Sequence, residues 1–169
     1  MADERPAPLD PTRVFETLNR HGVDYVVIGG FAVIAHGHVR ATKDVDLIAS
    51  EERENLERFA AALRELGARL RGVDAEYPPP VDPTNPNDLG NGANWTMVTD
   101  AGWVDFMAQP PGAAPYPQLR ARSVRRHVRN VEIPIVGLDD LIRMKQAAGR
   151  ARDLADIAAL TGTPDEQSS

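Results

Sequence analysis

The 169-residue chain is 42% hydrophobic and 26% charged, contains no cysteine, and carries a formal net charge of −6. This length suits a single domain with an ordinary hydrophobic core. The lack of cysteine excludes disulfides and cysteine-ligated zinc, and it favours a reducing, cytoplasmic location. The longest nearly unbroken apolar run, residues 25–35, is shorter than the roughly 20 residues of a membrane span, so we expect no membrane partner. The acidic balance also argues against nonspecific nucleic-acid binding.

The first half of the chain alternates helical and extended patterns. A helix opens at Pro11 with Asp10 as its cap, and Ser50 is the expected cap of a later, strongly amphipathic helix. A short β-branched run predicts a buried strand directly before Gly29. In chain order, the patterns predict a disordered tail over residues 1–9, a helix over 11–22, a strand over 23–28, a short helix over 31–35 that stops near Gly37, a strand over 45–48 and a helix over 51–67.

The second half begins with residues 74–93, which are rich in proline and asparagine and lack periodicity. So long a loop in a compact domain is usually functional or disordered. The remaining patterns predict strands over 94–99 and 103–108, strands over 121–128 and 131–136, helices over 138–148 and 150–160, and a disordered tail over 162–169. This order favours an α/β (α+β) fold, with a small mixed sheet flanked by helices over residues 1–137 and C-terminal helices over 138–161 packed on it.

A pair of glycines, Gly29 and Gly30, stands where the first predicted strand turns at once into a helix. Backbone N–H groups are exposed at such a turn, and without a Cβ an anionic group can come close to them. Two glycines are nevertheless a weak signal. Taken alone, the pair favours a tight turn that binds no ligand.

Two acids, Asp44 and Asp46, open the next predicted strand and flank Val45. Residues two apart on a strand point to the same face, so the two carboxylates project together and repel each other. A divalent cation removes that cost, and oxygen ligands suit Mg²⁺ or Mn²⁺. The alternative is a pair of exposed acids that balance the charges of Arg40 and Lys43.

The combined string is much rarer than either part. An apolar residue, Gly29-Gly30, a gap and then the acid–apolar–acid triplet at residues 44–46 resemble the nucleotidyltransferase superfamily that shares the polymerase-β type catalytic fold. The stretch GGFAVIAHGHVRATKDVDL is most similar to stand-alone bacterial nucleotidyltransferases of abortive-infection and toxin–antitoxin systems. The resemblance is strong over residues 23–50 and diffuse elsewhere.

This resemblance implies a third carboxylate on a later strand, for which Asp105 is the best match, since its competitor Asp100 falls in a turn. It also implies roles for the acids. Asp44 and Asp46 would hold two metal ions and the triphosphate, while Asp105 would bind the metal that activates the acceptor hydroxyl or act as its base.

The resemblance further implies nucleotide-binding residues. Gly29 and Gly30 would hold the β- and γ-phosphates, but many relatives have serine in place of Gly30. Backbone N–H groups must then replace the missing hydroxyl, or Thr42 or Lys43 must help. Arg40 is a further candidate phosphate contact.

A second match to the same family lies near the C-terminus, at residues 144–157. It implies that Lys145 and Arg152 reach the triphosphate as cations, and that Asp153 orients one of them or touches the nucleotide. The alternative is a solvated helix with charge pairs such as Arg150–Asp153.

The activity implied is transfer of a nucleoside monophosphate from an NTP, ATP among the possible donors, to an acceptor hydroxyl, with release of pyrophosphate. The tRNA 3′ end is the favoured acceptor, which makes the protein a toxin with a cognate antitoxin. Alternatives are an antitoxin that adenylylates a partner toxin protein, an enzyme acting on a small molecule such as an aminoglycoside, and a non-catalytic nucleotide-binding module. An unrelated small α/β protein, whose acids only balance charge, is the remaining alternative.

Overall fold

A computed structural model describes residues 7–74 and 76–162 of the chain. Most of the two predicted tails, at 1–9 and 162–169, therefore lies outside the described residues. Residues 7–9 are described, and Leu9 packs against the core beside Gly102. In the two described segments, no helix combines the length and the apolar character that crossing a membrane requires.

Helices account for much of the described chain, and the first begins as the sequence indicates. The Asp10 side chain accepts a hydrogen bond of 3.1 Å from the Arg13 amide, and Pro11 occupies the first helical position. The helices are α1 (Pro11–Arg20), α2 (Gly29–Ala35), α3 (Arg53–Glu65), α4 (Pro86–Leu89), α5 (Tyr116–Arg122), α6 (Leu138–Ala148) and α7 (Ala151–Thr161).

The strands of the described chain are β1 (Tyr25–Ile28), β2 (Asp44–Ala49), β3 (Arg69–Leu70), β4 (Trp95–Thr99), β5 (Gly102–Phe106), β6 (Val124–Val128) and β7 (Val131–Ile135). They form one mixed sheet in the order β3-β4-β5-β2-β1-β7-β6. The pairs β2–β5 and β1–β7 are parallel, and the other neighbours are antiparallel.

The predicted fold class, a small mixed sheet flanked by helices, is confirmed. Helix α5 was not predicted, and it takes up the start of the segment expected to be a strand from residue 121. Its only buried side chain is Leu119, so it lacks the apolar periodicity that would reveal a helix. The expected cap of α3 was also wrong, because Glu52 rather than Ser50 stands at the N-cap.

Apolar packing surrounds the central strands of the sheet. All four residues of β1 are buried, and the Tyr25 ring stacks on Phe15 of α1 with a centroid separation of 6.3 Å. On the other side of β2, Phe106 of β5 meets Phe59 of α3 edge-on at 5.2 Å. Packing of this kind holds β1, β2 and β5 in fixed register.

The C-terminal helices pack on the sheet rather than standing apart from it. Leu141 and Met144 of α6 belong to the buried core. At the start of α6, the buried Asp140 carboxylate accepts two hydrogen bonds of 2.8 Å from Arg122 and one of 3.2 Å from Arg143. These contacts tie α6 to the end of α5, and the Arg122 guanidinium holds the pKa of Asp140 below its ordinary value.

Replacing Asp140 by alanine should lower the free energy of unfolding by about 1–3 kcal/mol, since Arg122 loses two charge-assisted hydrogen bonds. Urea unfolding measures this loss. The matched control is Asp139→Ala, which removes the same charge from an exposed position one residue earlier and should change stability by less than about 0.5 kcal/mol. Equal losses in the two variants would show that Arg122 does not anchor α6.

Candidate metal centre and its cleft

Three carboxylates from two strands converge. Asp44 and Asp46 lie two residues apart on β2, and Asp105 lies on β5 directly opposite Asp46 in the parallel register. One oxygen atom from each side chain lies within 4.8 Å of the other two. The carboxylates are thus close enough to share a cation.

Local sequence explains why all three acids face the same way. On β2, Val45 is fully buried between two partly exposed acids. On β5, Asp105 stands between the buried Val104 and Phe106. Because side chains alternate along a strand, burial of the valines and the phenylalanine on one face turns the acids to the other.

Burial and mutual repulsion raise the pKa of two of the three acids. Burial first, and then the neighbouring charges of Asp44 and Asp105, raise the pKa of Asp46 to about 7. Burial likewise raises the pKa of Asp105, although Arg71 opposes the shift. In addition, Oδ1 of Asp105 is buried without a hydrogen-bond partner among residues 7–74 and 76–162. A free buried carboxylate oxygen in a repelling group of acids fits a divalent cation with oxygen ligands.

Gly29 is required by the position of Asp46. Its φ of +70° favours glycine, and a Cβ at this position would collide with the Asp46 carboxylate and come within 2.9 Å of the Asp46 Cβ. Gly30 has a different neighbour: a Cβ there would collide with the Arg40 guanidinium and lie 3.3 Å from Oγ1 of Thr42. The space beside Gly30 is therefore filled by the protein's own side chains.

The carboxylates form part of a cleft of about 270 Å³ between the sheet and the C-terminal helices. The strands contribute Ile28, Asp44, Asp46, Thr96 and Asp105. The first residue of α2 contributes Gly29, and the segment after β5 contributes Met107, Pro110 and Pro111. The C-terminal helical side contributes Leu141, Met144, Lys145, Ala148, Arg150, Arg152 and Asp153. Three basic residues thus share the lining of one cleft with four acidic residues and several apolar ones.

Lys145 is held by a buried charge network. Its Nζ lies 3.2 Å from Oδ1 of Asp153 and 2.9 Å from Oδ2 of Asp156. Asp153 is fully buried, and it also accepts hydrogen bonds from the Arg150 backbone amide at 3.1 Å and from the Arg150 Nε at 2.7 Å. Burial alone would raise the pKa of Asp153, but the hydrogen bonds from Arg150 and Lys145 lower it below its ordinary value.

The predicted nucleotide-binding residues divide into two groups. Of the described residues, four of these candidates line the cleft: Gly29, Lys145, Arg152 and Asp153. The other four lie outside it: Gly30, Arg40, Thr42 and Lys43. The geometry assigns Thr42 and Arg40 other contacts. Oγ1 of Thr42 donates to the Asp44 carbonyl at 3.1 Å, and Nε of Arg40 lies 3.5 Å from Asp156.

Sequence reasoning missed several residues of the site. Asp156 joins Arg40 to Lys145, and its spacing of three from Asp153 on one helix could have indicated a shared face. Arg150 lines the cleft, whereas its sequence pattern indicated only a charge pair with Asp153. Arg71 approaches Asp105 at 3.5 Å, and no local signal could have found it, since the contact depends on the pairing of β3, β4 and β5.

Comparison with known proteins finds a family match over part of the chain and a shared fold over most of it. Residues 9–70 match a family described as "Nucleotidyl transferase of unknown function (DUF2204)". This match includes Asp44 and Asp46 but ends before Asp105. No curated protein sequence matches the chain.

Several solved structures share the fold at low sequence identity. The lincosamide antibiotic adenylyltransferase LnuA, in its lincomycin-bound crystal structure, superposes with a TM-score of 0.61 at 12% identity, over 93% of this chain and 99% of LnuA. A putative nucleotidyltransferase from Thermotoga maritima gives 0.56 at 14% identity, over 90% of this chain and 91% of its own. The antibiotic-resistance factor ANT(2'')-Ia, in its solution structure, gives 0.56 at 14% identity, over 90% and 80%.

Gly29→Ala should destabilise the protein more than Gly72→Ala does. Both glycines have nearly the same φ, +70° and +72°, but only the new methyl at residue 29 meets Asp46, whereas that at residue 72 meets no described atom within 4 Å. Each variant carries about 1–2 kcal/mol of left-handed strain. Urea unfolding should show an additional loss in Gly29→Ala, together with weaker Mg²⁺ binding by calorimetry. If the two variants had equal stability and equal Mg²⁺ affinity, the contact with Asp46 would not explain why residue 29 is glycine.

Asp46→Asn should stabilise the metal-free protein, because it removes a carboxylate whose pKa is raised by burial and repulsion. The folded wild type holds a proton that the unfolded chain releases near pH 4, so its stability falls as the pH rises from about 4 to about 7. The advantage of Asp46→Asn in melting temperature should grow over the same window. Added Mg²⁺ should raise the melting temperature of the wild type and not of the variant; equal shifts would contradict a cation at this cluster.

Proposed function

We propose that this chain transfers a nucleoside monophosphate from an NTP to a hydroxyl group of an acceptor, and the match of residues 9–70 to a nucleotidyl transferase family supports this. The observation that carries the proposal is the convergence of Asp44, Asp46 and Asp105 in a cleft that also contains cationic side chains. Phosphoryl-type transfer asks a protein mainly for positioning and for neutralisation of charge, and this cleft offers both.

Divalent cations, Mg²⁺ or Mn²⁺, fit the acidic cluster. The unpartnered Oδ1 of Asp105, and the pKa of Asp46 raised by burial and by the neighbouring acids, support a metal counter-ion at this cluster. Asp44 and Asp46 would hold both ions, and Asp105 would hold the one on the acceptor side. When bound, such ions neutralise the phosphates and make the acceptor hydroxyl a better nucleophile.

The triphosphate would lie along the helical side of the cleft. Arg150 and Arg152 are exposed there, and Arg150 is already paired with Asp153 at 2.7 Å, so Arg152 offers the less compensated charge. Lys145 is already balanced by two buried acids, so it would offer a fixed hydrogen-bond donor rather than net charge. Asp153 would keep Lys145 and Arg150 in place.

The remaining candidates would act near the start of β2. Gly29 lets the Asp46 carboxylate lie against the backbone, and Gly30 leaves room for Arg40 and Thr42. Thr42 fixes the start of β2 through its hydrogen bond to the Asp44 carbonyl. Lys43 is exposed beside the acids and would meet a phosphate only as the NTP enters.

The reaction would proceed in one displacement. The acceptor oxygen forms a bond to the α-phosphorus, and the bond from that phosphorus to the bridging oxygen of the pyrophosphate breaks. Pyrophosphate departs with the bonding electrons toward Arg150 and Arg152. The proton of the acceptor hydroxyl leaves to Asp105, the acid assigned to the acceptor side, or to solvent.

The favoured acceptor is the 3′ hydroxyl of a tRNA in the cytoplasm, with the protein acting as the toxin of a pair, because GGFAVIAHGHVRATKDVDL is most similar to stand-alone enzymes of that kind. The second candidate is an antibiotic. It is favoured by the fold shared with LnuA and ANT(2'')-Ia over at least 90% of this chain. Two further alternatives remain. The acceptor could be a protein hydroxyl, as in antitoxins that modify a partner toxin, or the protein could bind a nucleotide without catalysis.

A labelled-NTP screen tests the proposal. The protein is incubated with Mg²⁺ and each α-labelled NTP in turn, together with total tRNA, lincomycin or an aminoglycoside. We expect label in the tRNA, and Asp46→Asn should lower the rate at least about a hundredfold because it removes a ligand of both metals.

The matched control is Asp100→Asn, an exposed acid in the β4–β5 turn, whose activity should equal that of the wild type. Transfer to an antibiotic alone would select the second candidate. Binding of an NTP without transfer to any acceptor would select the non-catalytic role.

A further inference from the structure

We propose that Arg71 and Trp103 form the acceptor side of the site and that they select an acceptor with a phosphate next to the reacting hydroxyl, as at the 3′ end of an RNA. The proposal rests on the proposed nucleotidyl transfer and names residues for its second substrate. Neither residue lines the cleft assigned to the NTP.

The position of Trp103 follows from the sheet. It lies two residues before Asp105 on β5 and opposite Asp44 in the β2 register, so its indole shares a face with all three carboxylates. Arg71 follows β3, where its backbone amide donates to the Thr96 carbonyl at 3.0 Å. The guanidinium then reaches over the indole, with its carbon 4.3 Å from the ring centroid.

The same guanidinium approaches the carboxylate assigned to the acceptor. Nη2 of Arg71 lies 3.5 Å from Oδ2 of Asp105, which is too long for a strong hydrogen bond. The arginine can therefore turn toward a better acceptor at little cost. An in-line displacement needs the attacking hydroxyl on the side of the α-phosphorus opposite the pyrophosphate. Arg71 and Trp103 lie beside Asp105 and do not line the cleft. They therefore flank the side from which such a hydroxyl would enter.

Unused hydrogen-bond donors indicate what this side binds. Nη1 of Arg71 and Nε1 of Trp103 are both buried without a partner in the part of the chain that the structure describes. Buried donors are paired in the great majority of cases, so two unpaired ones in stacked side chains suggest a ligand. Both groups are donors only, and a guanidinium stacked on a ring is well suited to the oxygens of a phosphate.

The charge of this edge argues against a polycationic acceptor. Arg69 lies two residues before Arg71 on β3 and is largely exposed, with Asp100 as a distant partner at 3.8 Å. An aminoglycoside would meet two guanidinium groups here, and the metal ions would occupy the carboxylates. A nucleic-acid strand would instead find complementary charge in the same place.

Binding of a fluorescein-labelled RNA stem-loop with a single-stranded 3′ CCA end, followed by anisotropy with Mg²⁺ present, tests the inference. Arg71→Gln should weaken binding about tenfold, the value of one charge-assisted contact. Because one phosphate contact is lost, the slope of log affinity against log salt should fall by about 0.7. Trp103→Phe keeps an aromatic ring but loses the N–H group, so we expect a smaller, about threefold, loss of RNA affinity.

The matched control is Arg58→Gln. Arg58 is an exposed arginine of α3 beside Gly22, at the opposite end of β1 from the acids. It should leave both the RNA affinity and the salt slope unchanged. Affinity for a non-hydrolysable NTP with Mg²⁺ should be the same in all these variants, and Arg71→Lys should recover the salt slope but only part of the affinity, since it restores charge without the planar fork.

The outcomes separate the two proposals. If the wild type binds no Mg²⁺–NTP and labels no acceptor, the nucleotidyl transfer itself is wrong. If transfer occurs but Arg71→Gln binds RNA with the affinity and slope of Arg58→Gln, the assignment of Arg71 is overturned while the transfer stands. If the wild type binds kanamycin in preference to RNA and Arg71→Gln binds kanamycin more tightly, the acceptor is cationic and the inference fails.

Discussion

The parallel pairing of β2 with β5 is the constraint on which the site depends. It sets Asp46 opposite Asp105, and a slip of one residue would turn Asp105 to the other face of the sheet. The register is fixed by apolar packing on the far face, where Val45, Val104 and Phe106 are buried. A group of repelling carboxylates is thereby held together by hydrophobic burial that has no part in the chemistry.

The opposing charge comes from the C-terminal helices. Lys145 is fixed by Asp153 and Asp156, which also reach Arg150 and Arg40, so one buried network connects α6, α7 and the segment that leads into β2. Such a network contributes position more than stability, because desolvation of buried charges offsets much of their attraction. These helices are therefore one wall of the cleft, and without them the acidic cluster would face solvent.

Asp105 has different neighbours on its two sides. Toward the helices lies a cleft with three cations and several apolar side chains. Toward β3 lie Arg71 and Trp103, at the sheet edge that leads into the long loop. The solved structures that share this fold include antibiotic-modifying enzymes, and under the proposal made here the sheet would serve the transfer while this edge would select the acceptor.

The sequence by itself determined what depends on one element at a time. Strand periodicity put Asp44 and Asp46 on one face, and the resemblance to a family added Asp105, since that acid also sits between apolar residues. Only the tertiary structure decided which residues from different elements meet. Arg40 and Thr42 fill the space beside Gly30, and Arg71 approaches Asp105. The physical reason is that alternation is a property of the local backbone, whereas contacts between strands and loops depend on register and on packing across the whole sheet.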